Sequence, residues 1–131
     1  MKSADDGVRV YNLDDGWEIL VGKTARDNDR LSIRTAIPAD FWFHVAGMPG
    51  SHVVARHPDR PVQIPREVKR LAGGLAAFFG KGRKGGRVAI HWTTCANVSK
   101  RRGAPAGQVQ LKRYDTLMTE PIDPDVYFGG P

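Results

Sequence analysis

Residues 40–56 read DFWFHVAGMPGSHVVAR, two short apolar runs that meet at a Pro-Gly corner. The first run, 41–45, alternates large apolar side chains with Trp42 and His44, which is the period of two expected of a strand with one buried face. The second run alternates again after the corner and places His52 on the same side as two later side chains. The pattern predicts two strands, one packed face, and a second face that presents Trp42, His44 and His52.

The sequence before this corner predicts a hairpin and a short helix. Strands are expected over 8–12 and 17–21, because an Asp-Gly pair between them favours a tight turn. A helix through Arg34 is expected to be capped by Asp27 or Asn28, whose side-chain oxygen can accept a free backbone amide hydrogen at the first turn.

The sequence after the corner predicts the main helix and the closing strands. Pro65 suits the first helical position, where its missing amide hydrogen costs nothing. One apolar stripe then follows at helical spacing: Val68, Leu71, Ala72, Leu75 and Phe79. Gly73 and Gly74 within the helix allow either close packing on the sheet or a kink. A strand is expected over 87–93, and two closing strands are expected within 109–119.

Together these elements predict an α+β fold, a mostly antiparallel sheet with one main helix and one short helix packed on it. A chain of 131 residues fits a single domain, 1–131. Its last part, about 122–131, is acidic and rich in proline, and we expect it to fray.

The charge is strongly segregated along the chain. Residues 68–114 hold 11 basic and no acidic side chains, whereas the whole chain has a net charge of +6. Such a stretch is typical of a surface that binds phosphate, although it is equally compatible with a plain solvated surface. Nucleic acid is therefore a leading candidate partner.

Composition restricts the other classes of function. Cys95 is the single cysteine, so the chain has no internal disulfide and no cysteine-based zinc site, which suits a reducing compartment. No apolar run approaches the roughly 20 residues of a membrane helix, and the first six residues hold two aspartates and one lysine where a signal peptide is basic and then apolar. We expect a cytoplasmic protein with no membrane partner, no cofactor and no small-molecule substrate.

The motif D-x-W-F-H, followed by P-G-S-H-V, resembles the NFACT-R family, an RNA-binding module of the ribosome quality-control proteins RqcH of bacteria and NEMF of animals. Other elements similar to the family follow in order and bring the resemblance to about residues 16–121: Gly22-Lys23, Asn28-Asp29 with Leu31, the residues 75–79, Trp92-Thr93, Val98, Lys100 and Gly107. Ordered motifs at compatible spacing are specific, whereas each alone is weak.

The resemblance implies an RNA partner, either tRNA or ribosomal RNA, and contact with the ribosome. The family's other domains have no counterpart here, so we expect a free-standing module. The sequence departs from the family pattern at Thr24, Ala96 and Ser99, which bears on the fine specificity for RNA.

Two groups of residues are expected to contact RNA. The phosphate-binding candidates are Lys23, Arg83, Lys84, Lys100, Arg101 and Arg102. The candidates that shape the site or stack on bases are Trp42, His44, Ser51 and His52. The residues expected to build the motif itself are Asp40, Pro49, Gly50 and Gly107. A buried Trp42, and histidines that only fix the corner through backbone hydrogen bonds, are the competing interpretations.

Two other functions fit parts of the sequence. The basic surface suits an adaptor that docks onto the ribosome or another protein. The four histidines with Asp40 or Asp59 allow a small metal-dependent nuclease, but no catalytic motif sets their geometry. We expect no catalytic residues and no metal site, and the oligomeric state is left open.

Overall fold

A computed structural model describes residues 7–80 and 86–129, in which a central sheet contains six antiparallel strands. The strands of this part of the chain are β1 Val8–Asn12, β2 Glu18–Gly22, β3 Phe41–Val45, β4 Val53–Arg56, β5 Val88–Thr94, β6 Val98–Ser99, β7 Gln110–Leu111 and β8 Asp115–Thr119. Strand order across the sheet is β1-β2-β4-β3-β5-β8, and β6 pairs separately with β7. The predicted α+β class is confirmed.

Helical segments lie on both faces of the sheet. They are α1 Ala25–Asp29, which continues into a π-helical segment at Arg30–Thr35, then α2 Arg66–Phe78, a 3-10 turn at Cys95–Asn97, and α3 Pro124–Tyr127. No helix among residues 7–80 and 86–129 is long and apolar enough to cross a membrane.

The strands β3 and β4, which the alternation predicts as strands, form the middle of the sheet. Phe43 lies opposite Val53 on β4 and opposite Trp92 on β5. Its side chain is fully buried, and so is that of Val53. Because full burial of such side chains stabilises a fold by about 1.5 to 3 kcal/mol each, this central pair anchors the register of the neighbouring strands.

The first apolar layer lies between the sheet and α2. Leu71 and Leu75 on the helix pack against Phe43, Val53 and Ile90 on three adjacent strands. All five side chains are no more than 1% exposed. The predicted helical stripe is therefore the core of this layer.

A second, smaller apolar layer covers the opposite face, and it corrects one expectation. Its buried members are Leu20, Leu31, Trp42, Val54, Cys95 and Val98. Trp42 is only 2% exposed, so the face that carries it is not presented to solvent as predicted. Strand periodicity separates the two faces of a sheet, but it does not show which segments cover each face. Here the helical segment that holds Leu31, about 10 residues before Trp42, and the distant strand pair β6 and β7 cover the face of Trp42.

The cap of α1 also differs from the prediction. Thr24, and neither Asp27 nor Asn28, is the N-cap. Its hydroxyl oxygen accepts the backbone N–H of Asp27 at 3.1 Å, and the Asp27 carboxylate accepts the backbone N–H of Thr24 at 3.0 Å. This reciprocal capping box satisfies two amides that a helix leaves unpaired. It also leaves the Asn28 side chain for contacts elsewhere.

The segment expected to fray is instead packed against α2. The Ile122 backbone N–H donates to the Gly74 carbonyl oxygen at 3.0 Å, and Asp123 caps α3. The ring of Phe128 stacks on Tyr11 with 5.1 Å between centroids. An acidic, proline-rich composition predicted fraying, but Pro124 is a good first helical residue and Ile122 has an apolar groove to enter. Residues 130 and 131 lie outside the described residues.

We predict that Gly74→Ala destabilises the fold, although alanine favours a helix by about 1 kcal/mol over glycine. A Cβ at this position would lie 2.4 Å from Cδ1 and Cγ1 of Ile122, so the 120–124 segment must move. We expect a net loss of about 1 to 3 kcal/mol in the free energy of unfolding, measured with denaturant.

The matched control is Gly73→Ala. There the new Cβ meets only side-chain ends, Leu117 Cδ1 at 3.3 Å and Thr119 Cγ2 at 3.6 Å. This variant should be neutral or more stable. Equal destabilisation by both substitutions would contradict the close packing of Gly74 on Ile122.

Candidate nucleic-acid interface

His52 is the centre of a buried polar network behind the Pro-Gly corner. Its side chain is 1% exposed. The Nδ1 atom lies 2.7 Å from Ser32 Oγ, and Nε2 lies 3.1 Å from the carbonyl oxygen of Gly107. Because a carbonyl oxygen only accepts, Nε2 carries the proton, and Nδ1 accepts the Ser32 hydroxyl hydrogen. The partners thus assign the neutral Nε2–H tautomer to His52.

Trp42 extends this network across the sheet. Its indole Nε1–H donates to Ser32 Oγ at 2.8 Å. The hydroxyl of Ser32 therefore accepts from Trp42 and donates to His52, which in turn donates to Gly107. Each such bond contributes about 1 kcal/mol, but one left unmade in the interior costs about 1 to 3 kcal/mol. Trp42 and His52 are accordingly part of the support of the site, and their buried rings are not placed to stack on bases.

Asn28 ties the corner to α1. Its side-chain oxygen accepts the His52 backbone N–H at 3.0 Å, and its Nδ2 lies 3.4 Å from the Gly50 carbonyl oxygen. The side chain reaches the corner because Gly22 has no Cβ, which would stand 2.0 Å from the Asn28 oxygen. One buried amide therefore fixes the backbone at both Gly50 and His52.

Asp29 connects α1 to the loop 100–109. One carboxylate oxygen accepts the Gly107 backbone N–H at 3.0 Å, and the other forms an ion pair with Lys100 Nζ at 3.1 Å. The Lys100 ammonium also donates to the carbonyl oxygens of Pro105 and Gln108. These internal contacts hold the loop in place without a ligand. Lys100 therefore stabilises the loop, and its ammonium group is not free to bind phosphate.

Gly107 is required at its position for two reasons. Its φ is +85°, in the left-handed region that favours glycine. An added Cβ would also lie 3.1 Å from Cβ of Ala25 on α1. The close approach lets Gly107 bond to Asp29 and His52 together.

These contacts frame an open cleft between the corner and the loop, with a volume of about 650 Å³. The cleft brings together five residues that the sequence singled out: Lys23, Pro49, Gly50, Ser51 and Gly107. Thr24, Met48, Phe79 and Gln108 contribute to the same wall. Lys23 is exposed and Ser51 is partly exposed, so both are accessible to a ligand.

Other predicted residues lie away from this cleft. Arg101 and Arg102 are exposed on the loop but do not line it. His44 is half-buried, hydrogen-bonded to the Gly50 backbone, and 5.3 Å from the His52 ring. Arg83 and Lys84 lie outside the described residues.

Asp40 belongs to a different end of the sheet. Its carboxylate accepts the backbone N–H of Ile37 at 2.9 Å, and burial raises its pKa. Its backbone carbonyl accepts the N–H of Cys95 at 2.8 Å. The residue holds the turn that leads into β3. Among residues 7–80 and 86–129, no group of three or more His, Cys, Asp or Glu side chains is placed to hold a metal ion.

Sequence reasoning underrated three residues of the network. Asn28 and Asp29 were noted within a motif but were given no site role, and Ser32 drew no attention. A serine within a helix carries no signal for a long-range hydrogen bond, since its partners come from β3 and from the corner before β4. An Asn-Asp pair at the end of a short helix is the one local hint that these side chains have partners elsewhere.

Burial shifts the titration of the histidines in this network. It lowers the pKa of His52 to about 4, and the nearby His44 ring adds to the effect. Burial also lowers the pKa of His44. Both rings are therefore neutral at physiological pH, in agreement with the tautomer assigned to His52.

We predict that the fold loses stability as the pH falls from 7 to 5. The unfolded chain takes up a proton on His52 near pH 6.5, whereas the folded chain does so only near pH 4. The unfolded state therefore binds more protons in this window, and His52 alone accounts for a loss of about 2 kcal/mol between pH 7 and 5. Denaturant unfolding at several pH values measures it.

His52→Gln is the informative variant, because an amide can still donate to Gly107 but does not titrate. It should be less stable at pH 7 and lose less stability on acidification than the unchanged chain. The same loss in both proteins between pH 7 and 5 contradicts the assignment of a neutral, buried His52.

Comparison with known proteins shows several relatives of this chain. The Rqc2 homolog RqcH of Bacillus subtilis (strain 168) is 36% identical over 118 residues, which cover 90% of this chain and 20% of that protein. Its counterpart in Streptococcus suis (strain 05ZYH33) is 35% identical over 105 residues, with 80% and 18% covered. The chain thus spans about a fifth of these relatives. Coiled-coil domain-containing protein 25 of Bos taurus is 31% identical over 100 residues, which cover 74% of this chain and 48% of that protein.

A solved structure shares the fold. It is the C-terminal part of the fibronectin/fibrinogen-binding protein from Streptococcus suis, which superposes with a TM-score of 0.83 at 32% sequence identity. The match covers 94% of this chain and 49% of that one.

The family match covers the whole of the network and the cleft. A family described as the NFACT protein RNA binding domain matches residues 8–113, somewhat earlier at both ends than the expected 16–121. This range holds the corner, α1, the loop 100–109 and five of the six sheet strands. The resemblance inferred from the motifs is confirmed. The chain belongs to the NFACT RNA-binding domain family.

Proposed function

We propose that this chain binds RNA without catalysing a reaction, and that it contacts tRNA or ribosomal RNA in ribosome-associated quality control in the cytoplasm. The observation that carries the proposal is the cleft that the family motif builds, because its walls are held in place by the protein alone. We also propose that residues 1–131 act as one such domain. The RqcH relatives support the ribosomal context.

The cleft has the groups that a nucleotide needs. Lys23 supplies a positive charge at the rim, and Ser51 supplies a hydroxyl group. Met48 and Phe79 supply apolar surface for a base. Its volume of about 650 Å³ is within the range of pockets that hold small ligands. An unpaired nucleotide of a loop fits this combination, since single-stranded RNA exposes both its bases and its phosphates.

The loop beside the cleft adds charges that are available to phosphate. Arg101 and Arg102 are exposed, and within the described residues neither forms an ion pair. By contrast Lys100, one residue earlier, is paired with Asp29. Since Lys100 and Asp29 hold the loop in one conformation, the two guanidinium groups start from a partly ordered position, which reduces the entropy lost on binding.

RNA binding through phosphate contacts should depend on the salt concentration. Affinity for bulk tRNA, single-stranded RNA and duplex DNA of equal length should fall steeply as salt rises, with RNA preferred over the duplex DNA. Replacing Arg101 and Arg102 by alanine should weaken binding and flatten the slope of log K against log salt by about 1 for each lost phosphate contact. Filter binding across a salt series measures both quantities.

Two control variants separate charge from structure. Arg70→Ala removes one charge on α2, where Arg70 pairs with Glu67, and should leave RNA affinity nearly unchanged. Lys100→Met should lower thermal stability, because it releases Asp29 and two carbonyl oxygens. Weak binding of the unchanged chain to all three nucleic acids near physiological salt contradicts the proposal and leaves a protein-docking role.

A further inference from the structure

Part of the sheet is covered by neither apolar layer. On the face opposite α2, the strands β3, β5 and β8 place His44, His91 and Thr116 in one row across the sheet. Next to this row, Met118 lies opposite Ala89 and is 51% exposed. The buried cluster around Trp42 ends before these positions. A patch of sheet surface that carries imidazole, hydroxyl and thioether groups is therefore accessible.

Two rings form a platform at the edge of this patch. The centroid of Tyr114 lies 4.2 Å from that of His91, and the ring planes are inclined by 36°. Tyr114 is 50% exposed, and His91 is half-buried beneath it. A half-exposed aromatic ring fixed by a second ring is pre-organised for stacking, because little side-chain entropy remains to be lost.

The charges around the platform favour a polyanion. Lys112 and Arg113 directly precede Tyr114 and are both exposed. Asp115 follows, pairs with Trp92 in the strand register, and lines one surface cavity with Arg113 and Tyr114. Two cations and one carboxylate thus surround the ring and leave a net positive charge beside it.

We propose that this patch is a second contact surface, on which unpaired bases of single-stranded RNA stack on Tyr114 and His91 while Lys112 and Arg113 bind the adjoining phosphates. The surface is distinct from the cleft beside Gly107, since none of these four residues lines that cleft. The proposal rests on the RNA-binding function proposed above. The ligand is the RNA base, because aromatic rings stack on the base surface and cations alone do not recognise it.

The test compares a single-stranded RNA 12-mer with an abasic oligomer that carries the same number of phosphates. Tyr114→Ala should weaken binding of the RNA about 5- to 150-fold, the range found for loss of one aromatic stacking partner. It should leave binding of the abasic oligomer and the salt slope unchanged, because no charge is removed. Tyr114→Phe keeps the ring and should bind RNA like the unchanged chain. Circular dichroism checks that each variant is folded.

The outcomes distinguish this surface from the cleft. If the unchanged chain binds RNA and Tyr114→Ala binds it equally well, the second surface is wrong and the proposed function stands. If the unchanged chain does not bind RNA, both fail. If Tyr114→Ala weakens RNA and the abasic oligomer alike, or abolishes only ribosome binding that resists nuclease, the face has another role and the stacking proposal is overturned.

Discussion

One neutral imidazole, that of His52, joins three parts of the chain that are remote in sequence. It receives a hydrogen bond from Ser32 after α1 and donates one to Gly107 in the loop 100–109, while it belongs itself to the corner before β4. The ring is 1% exposed, so neither bond can be exchanged for one to water without opening the protein. The position of the loop, and with it the far wall of the cleft, depends on this residue.

Asn28 and Asp29 make that arrangement rigid. Asn28 binds the Gly50 carbonyl oxygen and the His52 backbone N–H, and Asp29 binds both the amide of Gly107 and the ammonium of Lys100. Four polar contacts thus start from two adjacent residues at the end of one short helix. The consequence for function is a cleft that exists before any ligand arrives, so binding is not required to order it.

The sequence predicted the parts of the fold that depend on local periodicity. The central strands, the hairpin from Val8–Asn12 to Glu18–Gly22 and the buried stripe of α2 all follow from apolar spacing and turn residues. It did not predict what covers the Trp42 face, because that layer is assembled from segments far apart in the chain. The packing of Ile122 on Gly74 was missed for the same reason.

The residues of the candidate site also fall into those identified from the sequence and those whose roles only the structure shows. Lys23, Ser51 and the corner were identified from the sequence and do line one cleft. The roles of Trp42, His52 and Lys100 were harder to predict from the sequence, since a residue type that suits RNA contact also suits a buried hydrogen bond or an internal ion pair. Burial and hydrogen-bond or ion-pair partners decide between those roles, and both are known only from the tertiary structure.

The most direct test of this account is the protonation state of His52 in solution. Long-range proton–nitrogen correlation spectra of the folded protein report which imidazole nitrogen carries the hydrogen. The network predicts the neutral Nε2–H tautomer at pH 7, unchanged on acidification until the pH approaches about 4. An Nδ1–H tautomer, or a ring that is doubly protonated at pH 6, contradicts the bond to Gly107 and the preformed cleft that depends on it.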